Sequence, residues 1–334
     1  MQRRSFLLST SISAVLTSMG LTALPGAARA AAQGELPAWA MRLEHLADPG
    51  DTKAAEVFFT TDVSPEALIR VYEAVGRKAA GKVAVKISFE SAGGPHLEPA
   101  FLGPFCDHVK GTLVDTHCFT SRRGENAEHM ELIREKGFDK VAPVDILDWD
   151  GDMDLPVKNG YYLKYTRTGS HFANYDDVIS VVRFKGHYLP RYGGTMKNLS
   201  IALGSLSGKA IIHSLGENER YYQRSSDQET SMAMADAVRA ALDAKPGRWV
   251  FINVVNSFEP NERTNHGAVN LGDIGIFAST DPVALDQVCC DLVYGAAPSL
   301  EVRRQWEDSH STDVLAFAEA KGTGTRRARL TRIA

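Results

Sequence analysis

Residue types able to do chemistry crowd into the stretch from Phe184 to Gly216. It reads Phe184-Lys185-Gly186-His187, then Gly193-Gly194-Thr195-Met196-Lys197-Asn198, then His213-Ser214. Glycine lets a backbone approach a ligand closely. Histidine and lysine serve ligation, proton transfer or covalent attachment once their environment tunes them. A glycine turn running into a helix points backbone N–H groups at an anion, such as a cofactor phosphate. A tight turn before a helix, with a solvated lysine and hydrogen-bonded histidines, is the plain alternative.

The elements that must position these residues follow from periodicity and capping. Ala55–Phe59 reads as a strand, and Ser64-Pro65-Glu66 starts a helix with an N-cap, a first-turn proline and an acid. Lys82–Phe89 is a β-branched strand and Pro99–Val109 a helix despite Pro104. Gly111–Thr116 is a strand, Asn126–Lys136 a charged helix ending at Gly137, and Val141–Leu147 a strand. Asn159-Gly160 marks a hairpin. Val178–Phe184 is a strand that delivers Lys185 and His187 to its end, and Met196–Ala202 begins a helix. Glu229–Leu242 is helical, Trp249–Val255 and Ile274–Ala278 are strands, Asp281-Pro282 caps another helix, and a last helix and strand follow Thr312. This alternation predicts an α/β fold: a mostly parallel sheet with flanking helices, in one body or two lobes with the site between them. Ligands gather beyond the carboxyl ends of such strands, which selects the loops Ser88–His96, Thr116–Arg123 and Phe184–Lys197. The acidic run Asp148–Asp154 lacks the ligand spacing of a calcium loop and reads as a solvated turn.

Composition narrows the classes. The chain has 334 residues and a formal net charge of −4. Scattered lysines on a mildly acidic chain argue against nucleic-acid binding. Arg3-Arg4, a broken apolar run and Ala28-Arg29-Ala30 have the form of a twin-arginine export signal with a cleavage site. The expected organisation is a signal over 1–30, a lead-in over 31–54 and one α/β domain over 55–334. The expected location is periplasmic, reached through the twin-arginine machinery, with no membrane span in the mature protein. Cys106, Cys118, Cys289 and Cys290 form no C-x-x-C pair, so no zinc or cluster motif is present in the sequence. Export leaves a Cys106–Cys118 bond open, while Cys289 lies on an apolar helical stripe.

Several phrases together resemble the domain-of-unknown-function family 362. They are Val83-Ala84-Val85-Lys86, Gly169-Ser170-His171-Phe172-Ala173-Asn174-Tyr175-Asp176, the two glycine phrases above, and Asp281-Pro282-Val283-Ala284-Leu285-Asp286. Many members carry cysteine-rich iron–sulfur segments. Asn256–Gly272, the corresponding loop, has no cysteine, which argues against a cluster. The order His187, Gly193-Gly194, Lys197, His213 is more distantly similar to the nickel-pincer lactate racemases. That resemblance implies His187 as a catalytic histidine, Lys197 as the anchor of a pyridinium mononucleotide and His213 as a nickel ligand. It implies His117 as the second catalytic histidine, although Cys118-Phe119 departs from the usual arginine there. Lys185 joins the catalytic candidates, and Gly193, Gly194, Asn198 and Lys86 the cofactor-binding ones.

The chemistry implied is that of a 2-hydroxy acid acted on from both faces of one carbon. Two histidines can exchange the roles of base and acid, and the cofactor would accept hydride. Lys86 and Arg122 are candidates to bind the substrate carboxylate. The expected function is an exported cofactor- or metal-dependent racemase, epimerase or oxidoreductase on a small organic acid. A non-catalytic periplasmic metal- or ligand-binding protein is the alternative, and loss of the chemistry on a retained fold is a third. His171 divides evenly between a family role and a structural one. His266, alone in a polar loop, receives no role.

Overall fold

The computed structural model describes residues 45–47, 50–120, 122–187, 191–223, 225–256, 272–296, 310 and 312–333. The expected export signal, most of the expected lead-in and His266 lie outside them. Eight strands form one sheet: β1 (Ala55–Thr60), β2 (Val83–Lys86), β3 (Gly111–Asp115), β4 (Val144–Ile146), β7 (Asp177–Arg183), β10 (Trp249–Val255), β11 (Gly275–Ser279) and β12 (Ala328–Arg332). Their order is β12-β1-β11-β10-β7-β2-β3-β4. β11 pairs antiparallel with both neighbours, and every other pairing in the sheet is parallel. The fold is therefore α/β with a mostly parallel sheet.

Both faces of this sheet are covered. On one lie α1 (Pro65–Ala74), α2 (Pro99–Val109) and α3 (Asn126–Lys136). On the other lie α4 (Thr195–Leu199), α5 (Leu206–His213), α6 (Asp227–Ala244), α7 (Pro282–Ala296) and α8 (Asp313–Ala320). Two small hairpins stand apart, β5 (Asp152–Pro156) with β6 (Tyr165–Gly169), and β8 (Lys185–His187) with β9 (Arg191–Gly193). Local chemistry sets the helix ends. Ser64 Oγ accepts from Ala67 N, Ser226 and Glu229 form a capping box, and Gly137 closes α3 at φ 82°. Pro104 is tolerated on the exposed face of α2.

The two-residue period of the strands sorts their side chains by face. In β10, Val250, Ile252 and Val254 join the core under α1–α3, while Trp249, Phe251 and Val255 join the core under α4–α8. The same alternation turns three polar residues, Lys86 on β2, Ser180 on β7 and Asn253 on β10, toward α4. All three are buried, so each needs a partner. Lys86 Nζ donates to Asn198 Oδ1 (2.9 Å), Asn198 Nδ2 donates to Ser180 Oγ (2.9 Å), and Thr195 Oγ1 donates to Asn253 Oδ1 (2.9 Å). A short helix of five residues is thus pinned to the sheet by polar bonds.

Candidate functional site

Beyond the carboxyl ends of β2, β3 and β7 lies a buried ionic knot. Lys86 Nζ donates to Ile87 O (2.7 Å), Asp115 Oδ1 (3.0 Å) and Asn198 Oδ1 (2.9 Å). Its three protons are then spent, and its side chain is fully buried. Lys86 therefore does not reach a ligand, contrary to the sequence expectation. Asp115 Oδ2 accepts from Phe89 N (3.0 Å) and Arg123 (2.6 Å). Burial opposes the charge on Asp115, but Lys86 and Arg123 outweigh it and hold the carboxyl well below its usual range. Arg122, expected at the substrate, instead faces solvent and forks onto Glu131 and Glu135 of α3. Its neighbour Arg123 is the inward one.

In front of this knot lies a small cavity of about 60 Å³, lined by Glu90, His96, Lys185, Gly193, Gly194, Lys197 and Asn198 among others. Lys185 and Gly193 are register partners across the β8–β9 hairpin, which brings both to its wall. Glu90 has φ 58°, a left-handed conformation that costs a side-chain-bearing residue about 1–2 kcal/mol. Lys136 on α3 compensates: its ammonium donates to the carbonyls of Phe89 (2.7 Å), Glu90 (3.1 Å) and Ser91 (2.9 Å). The loop so held sets the Glu90 carboxylate 3.1 Å from Lys185 Nζ. Burial disfavours that charge, but Lys185, Arg123 and Lys197 prevail and the carboxyl falls to about 2. Lys197 differs from these groups. Among the described residues its amine makes no hydrogen bond and no ion pair, and burial draws its pKa down to about 8.

The glycine turn has a partner within the chain. Asp286 of α7 accepts from Thr195 N (2.8 Å), Met196 N (2.8 Å) and Asn253 Nδ2 (2.7 Å). The N–H groups expected to face a phosphate face this carboxylate. A Cβ at Gly194 would lie 2.7 Å from both Asp286 oxygens, so the residue is glycine to admit Asp286. Burial lifts the Asp286 carboxyl to about 6. Asn198, expected at a cofactor, bonds Lys86 and Ser180 while also forming part of the cavity wall.

Of the histidines expected at the site, His117 and His213, whose side chains are described, do not line this cavity. His187 sits in β8 opposite Arg191, and its side chain lies outside the described residues. His213 ends α5 with its ring 4.5 Å from that of Tyr222. Burial, then the charges of Lys197 and Lys209, press its pKa down to about 4, leaving a neutral imidazole at pH 7. His117 follows β3 and accepts nothing from the first cavity; its Nδ1 lies 2.9 Å from Asp148, and it lines a separate cleft. His171 bridges Asp145 (2.7 Å) and Asp150 (2.9 Å), which raise its pKa, a structural strap. The four cysteines are free thiols. Burial raises Cys106 to about 12. For Cys118 burial acts the same way, but Lys209, Arg123 and bonds with Thr120 overcome it and the thiol lies below its usual value.

Sequence reasoning missed Glu90, Lys136, Arg123, Lys209 and the role of Asp286. The strand-end rule had selected the loops holding Glu90 and Arg123. The other three act from helices, and no spacing announced them.

The sequence profile of the family described as domain of unknown function (DUF362) matches residues 83–291. The chain belongs to this family. No curated protein matches it by sequence. Among solved structures, the lactate racemase apoprotein from Thermoanaerobacterium thermosaccharolyticum is similar at 12% identity and a TM-score of 0.44, over 76% of this chain and 58% of that one. A structural-genomics target from Thermotoga maritima gives 9% identity and a TM-score of 0.43, over 74% and 59%. The chain thus spans less than two thirds of either protein. The DUF362 segment holds the whole site, from Lys86 to Asp286.

Among the described residues no three His, Cys, Asp or Glu side chains converge to hold a metal ion, and no helix is long and apolar enough to cross a membrane. Among the described residues the donor set does not fit a metal held by protein ligands alone. A cofactor bringing most of its own donors fits at two points, the unpartnered Lys197 amine and the neutral His213 imidazole. It does not fit the glycine turn as a phosphate cradle, because Asp286 occupies that position.

Proposed function

We propose that this DUF362 protein is an exported enzyme that binds a small organic acid at the Lys197 cavity, with racemase, epimerase or oxidoreductase chemistry. One observation carries the reading: an excess of buried and half-buried positive charge that ends in an unpartnered amine. Lys86, Arg123, Lys136, Lys185 and Lys197 surround two carboxylates, Glu90 and Asp115. A cavity with that balance attracts an anion. Lys197, with a pKa near 8, supplies charge to a carboxylate or a nucleophile to an electrophilic cofactor. A pyridinium cofactor joined at Lys197 would supply the hydride acceptor. The chain's own parts are the Glu90–Lys185 pair as a fixed wall, Lys136 as its anchor, and the shielding hairpin β8–β9. The motif order His187, Gly193-Gly194, Lys197, His213 supports the same class.

A second reading, binding without catalysis, is favoured by the position of His117. It lines its own cleft, so the described residues do not pair two histidines across one cavity.

The test uses protein purified from the exported fraction of its native host. Intact mass and elemental analysis are followed by a chiral assay on a panel of 2-hydroxy carboxylates, with Lys197→Ala alongside. Stereochemical or redox conversion that Lys197→Ala abolishes supports the enzyme. Saturable binding of the acids with no conversion selects the second reading. Indifference of both proteins to every acid refutes the anion site.

A further inference from the structure

The second cleft has the opposite character. It has a volume of about 430 Å³ and is bounded by His117, Phe119, Glu125, Asp148, Trp149 and Glu219, with Asp152 and Arg220 also on its wall. Four carboxylates thus face it against one guanidinium. Glu125 has no ion pair among the described residues. Asp148 accepts from His117, and Asp152 from Ser207. Glu219 takes the Tyr165 hydroxyl and pairs with Arg167 at 2.8 Å. Arg167 offsets Glu219 but is shared with Asp154. The wall stays acidic and repels the anions that the Lys197 cavity attracts.

His117 is only 5% exposed, and its Nε2 has no hydrogen-bond partner among the described residues. That atom is shut off from the cleft beside the His129 ring, so His117 acts there through its bond to Asp148. Phe119 and Trp149, by contrast, are 45% and 41% exposed, large apolar rings left open to solvent at the same cleft. Asn126 Nδ2 donates to the carbonyl of Trp149 at 3.2 Å and fixes the backbone behind the indole. Carboxylates and open aromatic faces together favour a cationic N–H donor with an apolar body.

We propose that this cleft binds the ammonium group of an organic amine, with its carbon chain against Trp149 and Phe119. The proposal is independent of the Lys197 cavity, and neither stands or falls with the other.

Calorimetric titration of the full chain with n-butylammonium and its neutral isostere 1-butanol tests it. The ammonium binds saturably, more weakly as salt is raised, and the alcohol does not. Trp149→Ala and Glu125→Gln alter exposed residues, so the fold survives them, and each weakens binding by about two- to fivefold. Equal binding of 1-butanol or of glucose overturns the proposal in favour of a neutral-ligand cleft. So does the absence of saturable heat from the ammonium, or wild-type affinity in both variants.

Discussion

Replacing Gly194 by alanine separates two uses of the glycine turn. The backbone at Gly194 is extended, at φ −133°, so alanine meets no conformational penalty there. The added Cβ would lie 2.7 Å from each oxygen of Asp286, closer than such atoms approach. Asp286 is fully buried and bonded to Thr195 N, Met196 N and Asn253 Nδ2, so it cannot swing away freely. Relieving the contact gives up one or two charge-assisted hydrogen bonds, a loss of about 2–4 kcal/mol. Gly193→Ala is the control. Its Cβ would lie 3.4 Å from Lys185 Cγ, an ordinary contact, and it costs under about 1 kcal/mol. Urea unfolding of the ligand-free protein measures both. If Gly194→Ala unfolds like the wild type and only a ligand's affinity drops, the glycine serves that ligand and the Asp286 argument is wrong.

Two other outcomes follow from the same chemistry. Burial raises the Asp286 carboxyl from 3.8 to about 6, so the folded state holds its proton more tightly than the unfolded chain does. This group therefore favours folding below pH 4, and the contribution fades as pH climbs through 6, by about 3 kcal/mol as an order of magnitude. Asp286→Asn should flatten that part of the stability–pH curve; an unchanged slope would assign it elsewhere. Iodoacetamide at neutral pH should label Cys118 first, with Cys106, Cys289 and Cys290 protected by burial until the chain unfolds. Peptide mapping after a short pulse reads this, and first labelling at any other cysteine contradicts it.

How far the residues disclosed this arrangement depends on the range of the forces involved. Ser64, Pro65, Gly137 and Asp281 act within one turn, and their helices begin or end where capping chemistry places them. The runs expected from Lys82, Val178 and Trp249 became buried strands, parallel to one another in the middle of the sheet. The hairpin at Asn159-Gly160 formed with a longer connection, Pro156 pairing with Tyr165. The strand expected through Phe89 stops at Lys86, and the carbonyls of Phe89–Ser91 beyond it turn instead to Lys136, distant in sequence. Lys86, Asn198 and Gly194 were legible as special residues but not as structural ones. Their partners Asp115, Ser180 and Asp286 lie 29, 18 and 92 positions away from them, and only the packing of sheet and helices brings them together.

The bond between Asp286 and the turn before α4 has a consequence for the order of events during synthesis. Every side chain on the wall of the Lys197 cavity has left the ribosome by residue 202, more than eighty positions before the carboxylate that fixes the turn. Until α7 emerges, the nascent protein carries the cavity's side chains and the bonds of Lys86, Asn198 and Lys136, but not the carboxylate that fixes the glycine turn. The glycine turn therefore takes its final partner only late in synthesis.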